Sequence, residues 1–142
     1  MQDGKKMSIK CCRLVNLPTF QDSRGNLTFV EANKHVPFDI QRVFYLYDVP
    51  DGSDRGGHAL KNCHQLLIAI SGSFDVVLDD GQEKKRVHLA RSSCGLQIPP
   101  TVWREMDNFS SGSICMVLAS NTYDEDDYYR NYSEYLAVMG LK

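Results

Sequence analysis

The stretch Arg55-Gly56-Gly57-His58-Ala59-Leu60-Lys61-Asn62-Cys63-His64-Gln65 runs straight into Leu66-Leu67-Ile68-Ala69-Ile70-Ser71-Gly72, and its reading decides the fold. Two glycines able to take positive φ come first, then an imidazole on an extended segment, then a solid apolar run closed by a turn. That is how a barrel strand delivers polar groups into a cavity. The rest of the chain reads as scaffold for this strand.

Downstream, Phe74 to Leu78, the Asp79-Asp80-Gly81 turn and Lys85 to Ala90 form a meander, with the lysines at 84 and 85 as solvated turn residues. Cys94 to Ile98 is a short strand broken by Pro99-Pro100. Val102 to Met106 resumes extended chain, and Ile114 to Ala119 is a continuous apolar run that crosses the core. Upstream, Ile9 to Leu17 is stopped by Pro18, a turn spans Gln21 to Asn26, and Leu27 to Glu31 is separated by Pro37 from a strand over Ile40 to Tyr47. Strand parity sets Arg42 and Tyr45 on opposite faces unless a bulge intervenes. About nine or ten short strands at roughly 8 to 12 residue spacing predict an all-β sandwich or barrel.

The tail differs in kind. Thr122 and Glu125 have capping-box spacing, and Tyr128, Tyr132, Tyr135, Leu136 and Met139 recur at helical spacing, which predicts one C-terminal helix over about 123–139 with a tyrosine stripe used for packing. No repeat or linker divides the chain, so residues 1–142 read as a single domain of adequate length for one core.

Composition narrows the function classes. A net charge of -2 from 16 basic and 18 acidic residues gives no electrostatic footprint for nucleic acid. No apolar run approaches a membrane span, and Met1-Gln2-Asp3-Gly4-Lys5-Lys6 lacks the apolar stretch of a leader, so a soluble cytoplasmic protein is expected. Five cysteines, two of them adjacent at Cys11 and Cys12 and none in a CxxC pair, point to reduced thiols and against a thiolate zinc site. Arg24 and Asn26 flank a glycine, a pattern that serves a plain hairpin turn as well as a binding loop.

Six motifs stand in order along the chain: Asp22-Ser23-Arg24-Gly25, Arg42-Val43 with Tyr45, Arg55-Gly56-Gly57-His58-Ala59, Ser71-Gly72-Ser73 with Leu78-Asp79-Asp80-Gly81, Pro99-Pro100 with Trp103-Arg104-Glu105, and Val117-Leu118-Ala119-Ser120 before Tyr123-Asp124-Glu125. In carrying them the chain resembles the sugar-nucleotide 3,4-ketoisomerases of the cupin superfamily, which act on dTDP-4-keto-6-deoxyglucose in making amino-deoxysugars for surface polysaccharides. The resemblance implies a jelly-roll β-barrel with a C-terminal helix, a homodimer with exchanged strands, a small-molecule dTDP-sugar as partner and no cofactor. It also implies His58 as acid/base and Tyr45 as relay for the oxygen proton. Arg24, Arg42, Arg55 and Arg104 would grip the diphosphate and polarise the carbonyl, with Asn26, Lys61 and Gln65 completing the substrate contacts.

Family members usually show His-Ala-His where this sequence has His58-Ala59-Leu60. Alternation on a strand turns His58 and Leu60 into the same cavity, so Leu60 replaces a titratable ring with a group that only packs. His64 shares that parity but lies about 20 Å further along an extended chain and cannot stand in. The positions where a metal-binding cupin needs donors hold His58, Leu60, Gln65 and Arg104, so no metal is expected. Moving a ketone from C4 to C3 takes one proton from C3 and returns one to C4 through an enediol, which a single near-neutral histidine on one face of the sugar ring can do. A non-catalytic sugar-nucleotide binder and an epimerase acting next to the ketone remain open at this point.

Overall fold

The apolar run after the glycines lacks alternation because it is buried on both faces. Leu67 and Ala69 point into the main core, while Leu66 and Ile68 sit under the loop that carries Val36 and Phe38. The computed structural model describes residues 6–50 and 52–141, so residues 1–5, read above for a leader, lie outside the described residues.

In chain order the strands are β1 (Arg13–Asn16), β2 (Thr19–Asp22), β3 (Gly25–Thr28), β4 (Arg42–Leu46), β5 (Arg55–Leu60), β6 (Gln65–Ser71), β7 (Phe74–Asp79), β8 (Lys84–Leu89), β9 (Cys94–Ile98), β10 (Trp103–Asp107), β11 (Ile114–Ala119) and β12 (Tyr128–Tyr129), with one helix, α1 (Tyr132–Val138). One sheet has the order β1-β9-β6-β11-β4 and the other β12-β5-β10-β7-β8, all pairs antiparallel. Their inner faces share one core, in which Leu67, Leu96 and Val117 of the first sheet meet Phe74, Val76, Leu78 and Met106 of the second. Burial of each large apolar side chain here contributes about 1.5–3 kcal/mol. The all-β jelly-roll class with a C-terminal helix is the fold observed.

The tail corrects one expectation. Instead of one helix over about 123–139, the chain makes a 3-10 turn at Glu125–Asp127, strand β12, and only then α1. Tyr128 and Tyr129 pair with Leu60 and Ala59, so the backbone bonds of the sheet edge win over the helical spacing of the tyrosines. The helix is capped by Asn131, whose side chain accepts from the Glu134 N–H, and the capping-box pair Thr122 and Glu125 is not used. Packing against Ala59 and Trp103 then fixes the helix through Tyr135, whose hydroxyl donates to the Thr101 and Asp79 carbonyls.

At the front of the chain, Ile9–Cys11 is a 3-10 turn, and the strand expected from Ile9 begins at Arg13. Among the described residues β2 and β3 pair only with each other, making a separate hairpin that leaves Phe20 and Leu27 exposed.

Candidate active site

A β-bulge makes the site. Arg104 of β10 pairs with His58 of β5, but Glu105 pairs with Gly56, so Gly57 is an extra residue on β5. Its φ of 76° lies in the left-handed region that glycine adopts without strain. The inserted residue shifts parity, and Arg55 and His58, three apart, consequently line the same cavity. Without it they would face opposite ways.

That cavity, of about 220 Å³, lies between the sheets. Its apolar walls are Phe44 and Leu46 of β4, Leu67 of β6, Met106 of β10 and Val117 of β11, and its polar groups are Arg55, His58, Gln65, Arg104, Tyr128 and Arg130. The inner end is unusual electrostatically. Arg104 is 1% exposed, its guanidinium donates to the Val102 carbonyl and, at 2.8 Å, to Gln65 Oε1, and among the described residues no carboxylate answers it. Burial lowers it to about 10, which still leaves it cationic at neutral pH. The amide nitrogen of Gln65, also buried, has no hydrogen-bond partner. Unpaired buried donors and an uncompensated buried cation are costly away from water, and an anionic or carbonyl oxygen placed beside them offsets both costs.

His58 faces these donors. Its basicity is pushed down to about 3, by burial first and then by Arg104 and Arg130, with Glu125 acting in the opposite sense. The ring is therefore neutral at physiological pH and able to accept a proton. Tyr128 lies against it, ring centroids 5.2 Å apart, and Arg130 stacks on Tyr128 with its guanidinium carbon 4.2 Å from the ring centre.

The structure gathers some of the expected residues and disperses others. His58, Arg55, Gln65 and Arg104 share the cavity. Arg42 stands beside it, over the wall residue Phe44 and near Tyr123, with its Nε buried and unpartnered. Tyr45 does not reach it: β4 runs without a bulge, so Tyr45 is on the outer face, 58% exposed, beside Tyr47. Lys61 lies over the Tyr129 ring, outside the cavity. Arg24 and Asn26 sit at the hairpin tip, with Arg24 paired to Asp22 at 2.7 Å. Leu60 keeps the side of β5 that parity gives it but not the expected place in the cavity. It is fully buried with Cys63 and Ala119 against Tyr128 and does not line the cavity. His64 stacks on Phe38, away from the site.

Sequence reasoning missed Tyr128 and Arg130, because the tyrosines' spacing mimics a helix. The signal that separates them is Asn131 three residues before Glu134, a cap that starts the helix after Arg130. Among the described residues no group of three or more His, Cys, Asp or Glu side chains is placed to hold a metal ion.

Comparison with known proteins adds the family. The family described as FdtA: WxcM-like, C-terminal matches residues 10–140. The TDP-4-oxo-6-deoxy-alpha-D-glucose-3,4-oxoisomerase of Aneurinibacillus thermoaerophilus is 42% identical over 133 residues, covering 92% of this chain and 96% of that protein. The sugar 3,4-ketoisomerase QdtA of Thermoanaerobacterium thermosaccharolyticum, solved in complex with TDP, superposes with a TM-score of 0.89 at 41% identity, over 91% of this chain and 94% of its own. The WlaRB TDP-quinovose 3,4-ketoisomerase of Campylobacter jejuni gives 0.87 at 47% identity, over 91% and 99%. With residues 10–140 inside that family and relatives this similar over nearly their whole lengths, the chain belongs to the sugar-nucleotide 3,4-ketoisomerase family.

Proposed function

We propose that this chain moves the ketone of a dTDP-4-keto-6-deoxyhexose from C4 to C3, with His58 carrying the carbon-bound proton. The observation that carries the reading is the inner end of the cavity. A neutral imidazole there faces a buried guanidinium without a counter-ion and an amide N–H without a partner. His58 takes the C3 proton, and the electron pair moves to the C4 oxygen, where Arg104 and Gln65 receive the developing charge. The C3 hydroxyl then gives up its proton while the C4 oxygen gains one, and the imidazolium returns its proton to C4. No atom is gained or lost. In this reading Tyr128, the phenol that lines the cavity, moves the proton between the two oxygens, a part Tyr45 cannot take from the outer face of β4. Arg55, Arg130 and Arg42 face the diphosphate.

A homodimer is part of the proposal. The β2–β3 hairpin leaves Phe20 and Leu27 exposed, and the outer face of the first sheet carries a groove of about 560 Å³ lined by Phe29, Val30, Ile40, Val43, Ile68 and Met116. A second copy seated there covers this apolar surface and gives the hairpin tip, with Arg24 and Asn26, a route to its neighbour's cavity. Light scattering at twice the chain mass and a higher KM for Arg24→Ala are expected; a monomer of full activity refutes it.

The reaction is tested by incubating the protein with dTDP-4-keto-6-deoxyglucose in D2O. The expected product is the 3-keto sugar with deuterium at C4 whenever the imidazolium exchanges with solvent before returning its proton. Unchanged substrate, unlabelled, makes the chain a binder, and label with inverted configuration next to the ketone makes it an epimerase.

A further inference from the structure

We propose that Glu125 is a positioning residue for substrate binding, holding Arg130 in the orientation that presents its free edge to the diphosphate. This rests on the ketoisomerase reading above and goes beyond it, because Glu125 itself lies outside the cavity lining. The chemistry is in which edge of the guanidinium is taken. Glu125 accepts from Arg130 Nε at 2.6 Å and from Nη2 at 3.0 Å, a side-on fork that leaves both N–H groups of Nη1 and one of Nη2 for a ligand. A carboxylate bound end-on would have blocked the group; bound side-on, it aims it.

Three further contacts make the arrangement rigid. The Tyr123 hydroxyl donates at 2.6 Å to Glu125 Oε1, the oxygen that also accepts from Arg130 Nη2, and so adds a second hold on the carboxylate. The Tyr128 ring lies under the guanidinium and sets its plane, and the same ring packs on His58. Asp124 caps the 3-10 turn that carries Glu125, accepting from the Asp126 N–H at 3.0 Å. Arg130 first, and Tyr123 next, hold the Glu125 carboxyl at about 2, so it is ionised throughout the working pH range. The network runs from Tyr123 through Glu125 and Arg130 to Tyr128 and His58. Of its members, Tyr123 and Glu125 lie outside the cavity lining, and Arg130, Tyr128 and His58 are part of it.

Both side chains of the pair are about half exposed, at 54% and 52%, so the pair adds little to folding stability. This separates a positioning role from a structural one. The experiment measures dTDP affinity by calorimetry, KM, kcat and Tm for the parent, Glu125→Ala, Tyr123→Phe, Arg130→Ala and the Glu125→Ala/Arg130→Ala double variant. Glu125→Ala is expected to weaken dTDP binding and raise KM about tenfold with kcat within about twofold and Tm unchanged, and Tyr123→Phe to do the same by about threefold. The double variant should be no weaker than Arg130→Ala, since Glu125 acts only through that guanidinium. Binding by Glu125→Ala as tight as or tighter than the parent's overturns the proposal, because the carboxylate is then a bystander or a competitor for Arg130. Additive losses in the double variant overturn it too. A parent that neither binds dTDP nor forms 3-keto product is a failure of the ketoisomerase reading instead.

Discussion

Arg104 and Arg130 line the same cavity and are built on opposite principles. Arg104 is the second residue of β10, is buried, and among the described residues has the Val102 carbonyl and Gln65 for hydrogen-bond partners. Arg130 comes from the segment between β12 and α1, is half exposed, and is matched by Glu125. In water a lone guanidinium costs nothing, so the outer one can carry a counter-ion and still serve as a reversible contact. In the core an uncompensated charge is a standing cost, and a fold that keeps one there stores electrostatic stabilisation for a charge that arrives only with substrate. In the proposed reaction the inner end acts on the rate and the outer end on affinity.

The sharpest cut through this division is His58→Asn. Asparagine keeps approximate size and hydrogen bonding but has no usable pKa, so kcat should fall by ~10²–10⁴-fold while dTDP binding is retained. Loss of binding without loss of turnover per bound substrate would reverse the assignment.

Arg104→Met comes next. Removing a charge that stabilises a developing oxyanion should cost ~10²–10³-fold in kcat. Because the same change deletes a buried cation without a counter-ion, Tm should not fall; a drop beyond about 4 °C, roughly 1 kcal/mol for a domain of this size, would mean that the guanidinium is structural.

The pH dependence sharpens the comparison from the other side. His58 is lowered to about 3 in the free protein, so its base form is complete above that range. The kcat/KM profile should vary by less than about threefold between pH 5 and 8, with no inflection near the ordinary histidine value of about 6.5. Bound diphosphate brings negative charge toward the ring and raises its pKa, so the acid limb of kcat should lie at higher pH than that of kcat/KM. An inflection in kcat/KM near 6.5 would place His58 in water.

The smallest effect is assigned to Tyr45→Phe. On the outer face of β4 the phenol lies outside the cavity lining, and kcat should stay within about twofold, whereas general acid/base partners are typically worth ~10²-fold or more. A loss of that size would mean that Tyr45 acts in a neighbouring copy's cavity.

Through the family resemblance the sequence named Arg55, His58, Gln65 and Arg104 among the site residues, and by itself it determined the strand that matters, the turns on either side of it and the all-β class. Those follow from local rules, since glycine tolerance of positive φ, apolar runs and residue chemistry are all written in short windows. Only the tertiary structure decided where strand alternation is interrupted and where a face is filled by packing. Parity held for Arg42 and Tyr45 on the unbulged β4, but the extra Gly57 turns Arg55 and His58 to one side, and Leu60, on the His58 side of β5, is packed with Cys63 and Ala119 rather than open to the cavity. It also decided the tail. Tyr128 carries the same spacing signal as Tyr132 and Tyr135, but a free edge on β5 offers backbone hydrogen bonds to Tyr128 and Tyr129, and that non-local pairing brings Tyr128, Arg130 and Glu125 to the site. Competition between a local helical pattern and a distant sheet edge is settled by backbone bonds and burial that no short window contains.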